Sequence, residues 1–280
     1  MVDQLAACGA CHSTWTRGDP LAGESPQGYL AGGNYVEDAA SGFSVWEPNL
    51  TPDSETGLGR WTDDQLMRAI RDGIHADGHL LTPFMPFASY QHLSDEDLRA
   101  VVAYLRSVPP LRQPLPRRAN RMPWVLGFLI NRGVTHHLPT QQVAAPNRSD
   151  RVAYGKYLAQ LGHCPACHAL GDQGERPEDD PLYMAGSAHP FQKGVGKVWA
   201  SNLTPDPQTG IGQFSAEQIK RALTSKDRLD GAPMAPPMVG LQPHLAGVSA
   251  EDLDALVAWL QSLRPIQHPV PERELNAKGL

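Results

Sequence analysis

Cys8-Gly-Ala-Cys11-His12 places two thiols and an imidazole on one short segment, and the pattern recurs as Cys164-Pro-Ala-Cys167-His168. Cys-x-x-Cys-His is the attachment signature of a c-type haem. Two thiols on one turn can add to the two vinyl groups of a single porphyrin. The histidine that follows is then held against the iron as its proximal ligand. The chain has 4 cysteines, all inside these two motifs. None is left for a disulfide, a separate reactive thiol or a zinc site. A bare Cys-x-x-Cys pair serves zinc or redox chemistry equally well. The histidine after each pair, twice, selects two covalently attached haem c groups. Cys8, Cys11, Cys164 and Cys167 are the expected attachment residues, and His12 and His168 the expected proximal ligands.

The opposite axial position decides what each iron does. A filled position shuttles electrons, an open one binds peroxide or another small ligand, and a methionine thioether raises the reduction potential. Met85 lies in Thr82-Pro-Phe-Met-Pro86 and Met238 in Ala235-Pro-Pro-Met-Val239, at equal distances from Asn49 and Asn202. Prolines reduce the entropy lost when such a loop is fixed. One methionine in an apolar loop would read as core filler; two in register, each behind a haem motif, read as ligands. Met234 and Met184 are expected to lack a counterpart in the other half, and Met67 falls in a predicted helix. His75, His79, His92, His189 and His244 read as loop or cap residues.

These groups must be positioned by an internal repeat. Asn49-Leu-Thr-Pro-Asp53 returns as Asn202-Leu-Thr-Pro-Asp206, and Thr56-Gly-Leu-Gly59 as Thr209-Gly-Ile-Gly212. Two readings of these segments are even: haem-propionate donors, or capped turns shaped by proline and glycine. Thr62 and Ser215 precede Gln65 and Gln218 as capping boxes. Ser94 and Ser249 are expected N-caps, ahead of the stripes Leu98, Val101, Val102, Leu105 and Leu253, Leu256, Val257, Leu260. Pro109-Pro110 and Pro265 should stop these helices. Trp46, Trp61 and Trp199 are expected at the haem edge or sealing its pocket. With no strand alternation visible, the expected fold is all-α, two tandem domains with long loops. The boundaries read as 1–112 for the first domain, 113–149 for a linker, 150–268 for the second domain and 269–280 for a tail. Trp124, Leu126, Phe128 and Leu129 make the linker too apolar for a free tether.

The chain of 280 residues suits two domains, and its 26 prolines and 26 glycines fit long loops. A net charge of -6 disfavours nucleic acid as a partner. Met1 to Leu5 is too short and polar for a leader. Haem attachment belongs to the exported side of bacterial membranes, so the expectation is a periplasmic protein whose export segment is absent. The apolar run Met122 to Ile130 falls short of a membrane span.

The order Cys-x-x-Cys-His, Asn-Leu-Thr-Pro-Asp with Thr-Gly-x-Gly, a methionine in a proline loop and Leu93-Ser-Asp-Glu-Asp-Leu98 resembles one family over most of the chain. It is that of the multihaem cytochrome c subunits of membrane-bound bacterial dehydrogenases for alcohols, aldehydes and sugar acids. Arg121-Met-Pro-Trp-Val-Leu126 and Tyr154-Gly-Lys-Tyr-Leu158 resemble it too. The resemblance implies two class I cytochrome c domains with His12 and Met85, and His168 and Met238, as ligand pairs. It also implies a dehydrogenase subunit as electron donor, and a cytochrome, oxidase or quinone-linked acceptor in a respiratory chain. It leaves room for membrane association through a missing N-terminal segment or a partner. Members usually carry three haem motifs where this chain has two, Met238 is followed by Val-Gly where Met85 is followed by Pro-Phe, and little chain precedes Cys8. No catalytic residue is expected. The rival function is a dihaem enzyme, peroxidase-like or sulfur-compound-oxidising, with one open haem.

Overall fold

The computed structural model describes residues 1–15, 25–38, 43–82, 84–115, 142–191 and 196–276. It divides into two compact units, Met1–Asp3 with Ala7–Ala145, and Gln4–Ala6 with Pro146–Leu280. Residues 116–141 of the expected linker, with its Trp124, Leu126, Phe128 and Leu129, lie outside the described residues.

In the first unit a single turn, α1 (Cys8–His12), carries the first motif. Helix α2 (Asp63–Asp72) starts at a complete capping box. The Thr62 side chain accepts from Gln65 N and the Gln65 side chain from Thr62 N. The four-residue α3 (Phe87–Tyr90) follows the Met85 turn. Helix α4 (Asp95–Ser107) is capped by Ser94 and ends before Pro109. Its stripe Leu98, Val101, Val102 and Leu105 is fully buried. Leu105, Val101 and Val102 join Leu30, Leu58 and Leu66 in the core, with Cys8 packed against it.

The second unit repeats the plan. α5 (Arg151–Leu161) leads into α6 (Cys164–His168), then α7 (Ala216–Thr224) behind the Ser215 capping box, α8 (Met238–Leu245) and α9 (Ala250–Ser262) capped by Ser249. Helix α5 crosses α9 at Gly155, where a Cβ would stand 1.9 Å from the Ala255 carbonyl oxygen. The Tyr154 hydroxyl donates to Asp252 at 2.8 Å across the same crossing. Cys164 packs against a core of Met184, Ile211, Ile219, Leu256, Val257 and Trp259.

The fold is mostly helical rather than all-α. Three antiparallel ribbons occur among the described residues: β1 (Tyr35–Asp38) with β2 (Phe43–Trp46), β3 (Leu170–Gly171) with β4 (Gly174–Glu175), and β5 (Gly196–Lys197) with β6 (Glu274–Leu275). Strands of two to four residues are too short to print an alternating pattern. Residues 274–275, in the expected tail, thus pair back onto the second unit.

Candidate haem-binding sites

One helical turn sets the geometry of each motif. Positions i, i+3 and i+4 share a helix face, so Cys8, Cys11 and His12 stand together, as do Cys164, Cys167 and His168. Each turn is entered through a non-glycine residue in the left-handed region, Ala7 at φ 44° and His163 at φ 59°. Such a conformation costs about 1–2 kcal/mol and is held by tertiary bonds. In the first unit Cys8 N donates to Val2 O at 2.9 Å.

The histidines are fixed twice over. His12 Nδ1 lies 2.9 Å from Pro48 O, and His168 Nδ1 lies 2.7 Å from Ser201 O. A carbonyl only accepts, so Nδ1 carries the proton and Nε2 keeps its lone pair for a metal. The backbone oxygen of each histidine accepts from a glycine, Gly32 N to His12 O at 2.6 Å and Gly186 N to His168 O at 2.9 Å. Burial pushes both imidazole pKa values down, against the carbonyl hydrogen bond that raises them. A neutral imidazole is the form that ligates.

The thiols suit attachment better than free-thiol chemistry. Burial first, and then the neighbouring Cys11, pushes the Cys8 thiol up to about 12; burial and Cys167 do the same to Cys164. Disulfide exchange needs a thiolate, which burial disfavours at Cys8 and Cys164. Two paired thiols and an imidazole with a free Nε2 fit a covalently attached haem.

Gly32 and Gly186 belong to a repeat that the sequence reading passed over, Tyr29-Leu-Ala-Gly32 and Tyr183-Met-Ala-Gly186. Met184 therefore has a counterpart after all, Leu30. Both are fully buried, and both adopt positive φ, 61° and 56°. Leu30 O accepts from Leu50 N at 2.8 Å and Met184 O from Leu203 N at 2.9 Å. This turn runs beneath the residue that holds the histidine. A Cβ on Gly32 would meet Glu47 O at 2.3 Å and Pro48 O at 2.7 Å.

The Asn-Leu-Thr-Pro-Asp segments prove to be clasps. Asn49 Nδ2 donates to Leu111 O at 2.7 Å and Thr56 Oγ1 at 3.1 Å, and Thr51 Oγ1 accepts from Leu111 N at 3.0 Å. Asn202 and Thr204 tie Ile266 in the same way, at 2.8 and 3.1 Å. These buried side chains join the chain beyond the last helix to the loop beneath the histidine. Their hydrogen bonds are spent inside the protein, which decides for the capped-turn reading over the propionate one. Asn34 adds a clasp peculiar to the first unit. It donates to Cys11 O at 3.0 Å and Ser13 O at 2.7 Å, and lies 2.6 Å from the buried Glu47 carboxylate.

Met85 sits half-buried in a turn closed by its own N–H on Thr82 O at 3.0 Å. Met238 is the half-buried first residue of α8. Each loop is anchored to the end of the capped helix before it. In the first unit Gly73 lies against the Phe87 ring; in the second, Gln242 Nε2 donates to Ala222 O at 3.0 Å. Tyr90, on α3, is buried close enough to Cys8 and Cys11 that they add to burial in raising its pKa. The Met85 loop and the first haem motif thus share one neighbourhood. Trp61 packs edge-on against His75, with ring centroids 4.6 Å apart, and Trp46 against Tyr35 at 5.2 Å.

A family model for cytochrome c matches residues 3–109 and 152–264. The chain belongs to the cytochrome c family. With two family domains and two attachment motifs, this cytochrome carries covalently bound haem c. It is 31% identical to the gluconate 2-dehydrogenase cytochrome c subunit of Pantoea cypripedii, over 91% of this chain and 56% of that protein. It is 31% identical to the quinone alcohol dehydrogenase cytochrome c subunit of Gluconacetobacter polyoxogenes, over 95% and 55%. It is 26% identical to a diheme cytochrome c-type protein of Cereibacter sphaeroides, over 93% and 83%. The chain spans about half the length of the two dehydrogenase subunits and most of the diheme protein. The cytochrome subunits among these relatives agree with an electron-transfer cytochrome rather than a catalytic subunit. Among the described residues no helix is long and apolar enough to cross a membrane.

Proposed function

We propose that this cytochrome is a periplasmic dihaem electron carrier with two closed, six-coordinate haems in class I domains. Cys8 and Cys11 attach the first haem and Cys164 and Cys167 the second. His12 and Met85 are the axial ligands of one iron, His168 and Met238 of the other. Haem c supplies one-electron exchange between ferrous and ferric iron. The protein's part is to hold each imidazole at one orientation through the Pro48 and Ser201 carbonyls, and to present a thioether on an anchored loop. A dehydrogenase subunit is the donor and a respiratory acceptor, a cytochrome, an oxidase or a quinone-linked protein, receives the electron. The names of the relatives support that donor class. Contact with the membrane would come through such a partner or an N-terminal segment.

The observation that carries the reading is the duplication of the whole constellation. Each histidine has the same two backbone partners, and each unit has a methionine at the same register. A dihaem enzyme with one open iron would need the two units to differ at this point. The test is the near-infrared thioether-to-iron band of the oxidised protein, expected from both haems. Met85→Ala and Met238→Ala should each abolish the band of one haem and lower its potential. A high-spin ferric haem at neutral pH in the unaltered protein, or an unchanged spectrum in Met238→Ala, would overturn the assignment.

A further inference from the structure

The two units differ sharply at one hairpin, between the capped helix and the methionine loop. In the first unit it is Ile74-His-Ala-Asp-Gly-His-Leu80, closed by the Ile74–Leu80 bridge, His75 N to His79 O at 2.9 Å and Gly78 N to His75 O at 2.9 Å. The second unit builds the same hairpin from Asp227 to Pro233, with Arg228 N to Ala232 O at 2.8 Å and Gly231 N to Arg228 O at 3.0 Å. Gly78 and Gly231 turn both at positive φ, 94° and 80°.

The side chains carry different chemistry on this shared frame. In the second unit Asp230 is neutralised by Arg228 at 3.1 Å, and Ala232 stands where the first unit has His79. In the first unit the matching carboxylate, Asp77, faces two imidazoles. Its Oδ1 lies 2.9 Å from His75 Nδ1 and 2.5 Å from His79 Nδ1. The two rings stack at 4.3 Å and 23°, and Trp61 packs edge-on against His75. One ligand atom from each of the three residues lies within 4.8 Å of the others. The hairpin itself does not require the histidines, because the second unit folds it without them.

We propose that His75, Asp77 and His79 form a surface site for a divalent transition cation of the Zn2+ type. The donors are two imidazole nitrogens and one carboxylate oxygen, with solvent completing the shell. Imidazole and carboxylate are ordinary zinc ligands at about 2.0–2.2 Å, which sets ligand atoms roughly 3.3 Å apart around a tetrahedral ion. The two separations from Asp77 Oδ1 need to open by less than about 1 Å, the imidazole nitrogens stand within 4.8 Å of each other, and the side chains are 34%, 64% and 56% exposed. Coordination through Nδ1 requires each ring to give up the proton it now directs at Asp77 Oδ1 and to keep its proton on Nε2. The site stands independently of the axial-ligand assignment.

The test is calorimetric titration of Zn2+ into the ferric holoprotein at pH 7, with zinc-edge X-ray absorption on the loaded sample. One Zn2+ per chain and two imidazoles in its shell are expected. His79→Ala should weaken binding more than ~10-fold, with the haem spectrum unchanged as a check on folding. Asp230→Asn, and His136→Ala with His137→Ala in the His136-His137 pair of the sequence outside the described residues, should bind as the unaltered protein does. No binding at millimolar Zn2+, a shell without imidazole, or full affinity in the His75→Ala, His79→Ala double variant would overturn the proposal. So would loss of binding in the His136, His137 variant.

Discussion

Gly32→Ala tests whether the Tyr-x-Ala-Gly turn protects the histidine's hydrogen bond. The added Cβ would stand 2.3 Å from Glu47 O, 2.6 Å from Pro48 C and 2.7 Å from Pro48 O. Close-packed interiors hold such contacts beyond about 3 Å, so the Glu47 carbonyl oxygen must retreat by about 0.7 Å and the Pro48 carbonyl oxygen by about 0.3 Å. That shift stretches the Pro48 carbonyl's hydrogen bond to His12 Nδ1, now 2.9 Å, toward roughly 3.2 Å, the long end of the hydrogen-bonding range. Stability falls on two counts. Alanine at φ 67° costs about 1–2 kcal/mol, and overpacking costs a further ~1–3 kcal/mol. The potential should rise, because an Nδ1–H donating to a carbonyl makes the imidazole the more basic ligand and favours ferric iron. A neutral hydrogen bond is worth ~0.5–1.5 kcal/mol, and one electron converts ~1.4 kcal/mol to 59 mV. Only the part of that energy that differs between ferric and ferrous iron moves the potential, so the expected rise is at most ~20–60 mV at one haem. Spectroelectrochemical titration resolves the two haems, the second serving as reference. Gly186→Ala should shift the other haem by less, since its nearest obstacle is the yielding Val270 Cγ2 at 2.6 Å. A Gly32→Ala protein that is destabilised as expected but titrates at unchanged potentials would refute the link from turn to histidine.

Two further outcomes follow from the helix crossing and the clasps. Gly155→Ala gains about 1 kcal/mol of helix propensity but sets a Cβ 1.9 Å from the Ala255 carbonyl oxygen and 2.9 Å from Trp259 Cβ. Backbone cannot yield cheaply, so a net loss of ~1–3 kcal/mol should appear in denaturant unfolding followed by Trp fluorescence; unchanged stability would mean that α5 and α9 do not cross here. The second outcome concerns acid. The Asp206 carboxyl is held below the usual range, first by the Thr209 backbone N–H, and Asp53 by the Thr56 hydroxyl. A folded-state pKa depressed below the unfolded value contributes stability above the unfolded value, ~3.9, and loses it as pH falls through the lower folded one. Acid unfolding monitored by circular dichroism should therefore sharpen below about pH 4, and Asp206→Asn should flatten that pH dependence; an Asn variant with the original acid profile would dismiss the clasp carboxylates as its cause.

The parts of this fold written in side chains were legible in the chain. Four caps at Thr62, Ser94, Ser215 and Ser249 form as their residue types require, because a hydroxyl next to a helix start competes only with local backbone. The buried stripes of the last helices follow from spacing alone. The short ribbons were not legible, since two residues carry no period. The role of Asn49 and Asn202 was legible only as a choice. An amide in a tight turn could serve a propionate or a carbonyl, and the deciding acceptors, Leu111 and Ile266, lie far along the chain and differ in type. Met184 illustrates a narrower failure. Sought as a ligand it has no methionine opposite it, but as a turn residue it matches Leu30, because the turn needs a left-handed backbone and a buried apolar side chain, not sulfur.

The decisive contacts at the histidines come from main-chain atoms, and this explains how the two halves diverged without losing the site. Pro48 and Ser201 share no side-chain chemistry, yet either residue supplies the one carbonyl that fixes the Nδ1 proton. Such a position is free in identity and constrained in path. The constraint passes to neighbours that set the path: Gly32 and Gly186, which must lack a Cβ, and Asn49 and Asn202, whose amides pin the loop from the other side. Those neighbours are the ones that repeat. Where no path is at stake, as at His75 and Arg228 on the paired hairpins, the halves have drifted to different chemistry on one backbone.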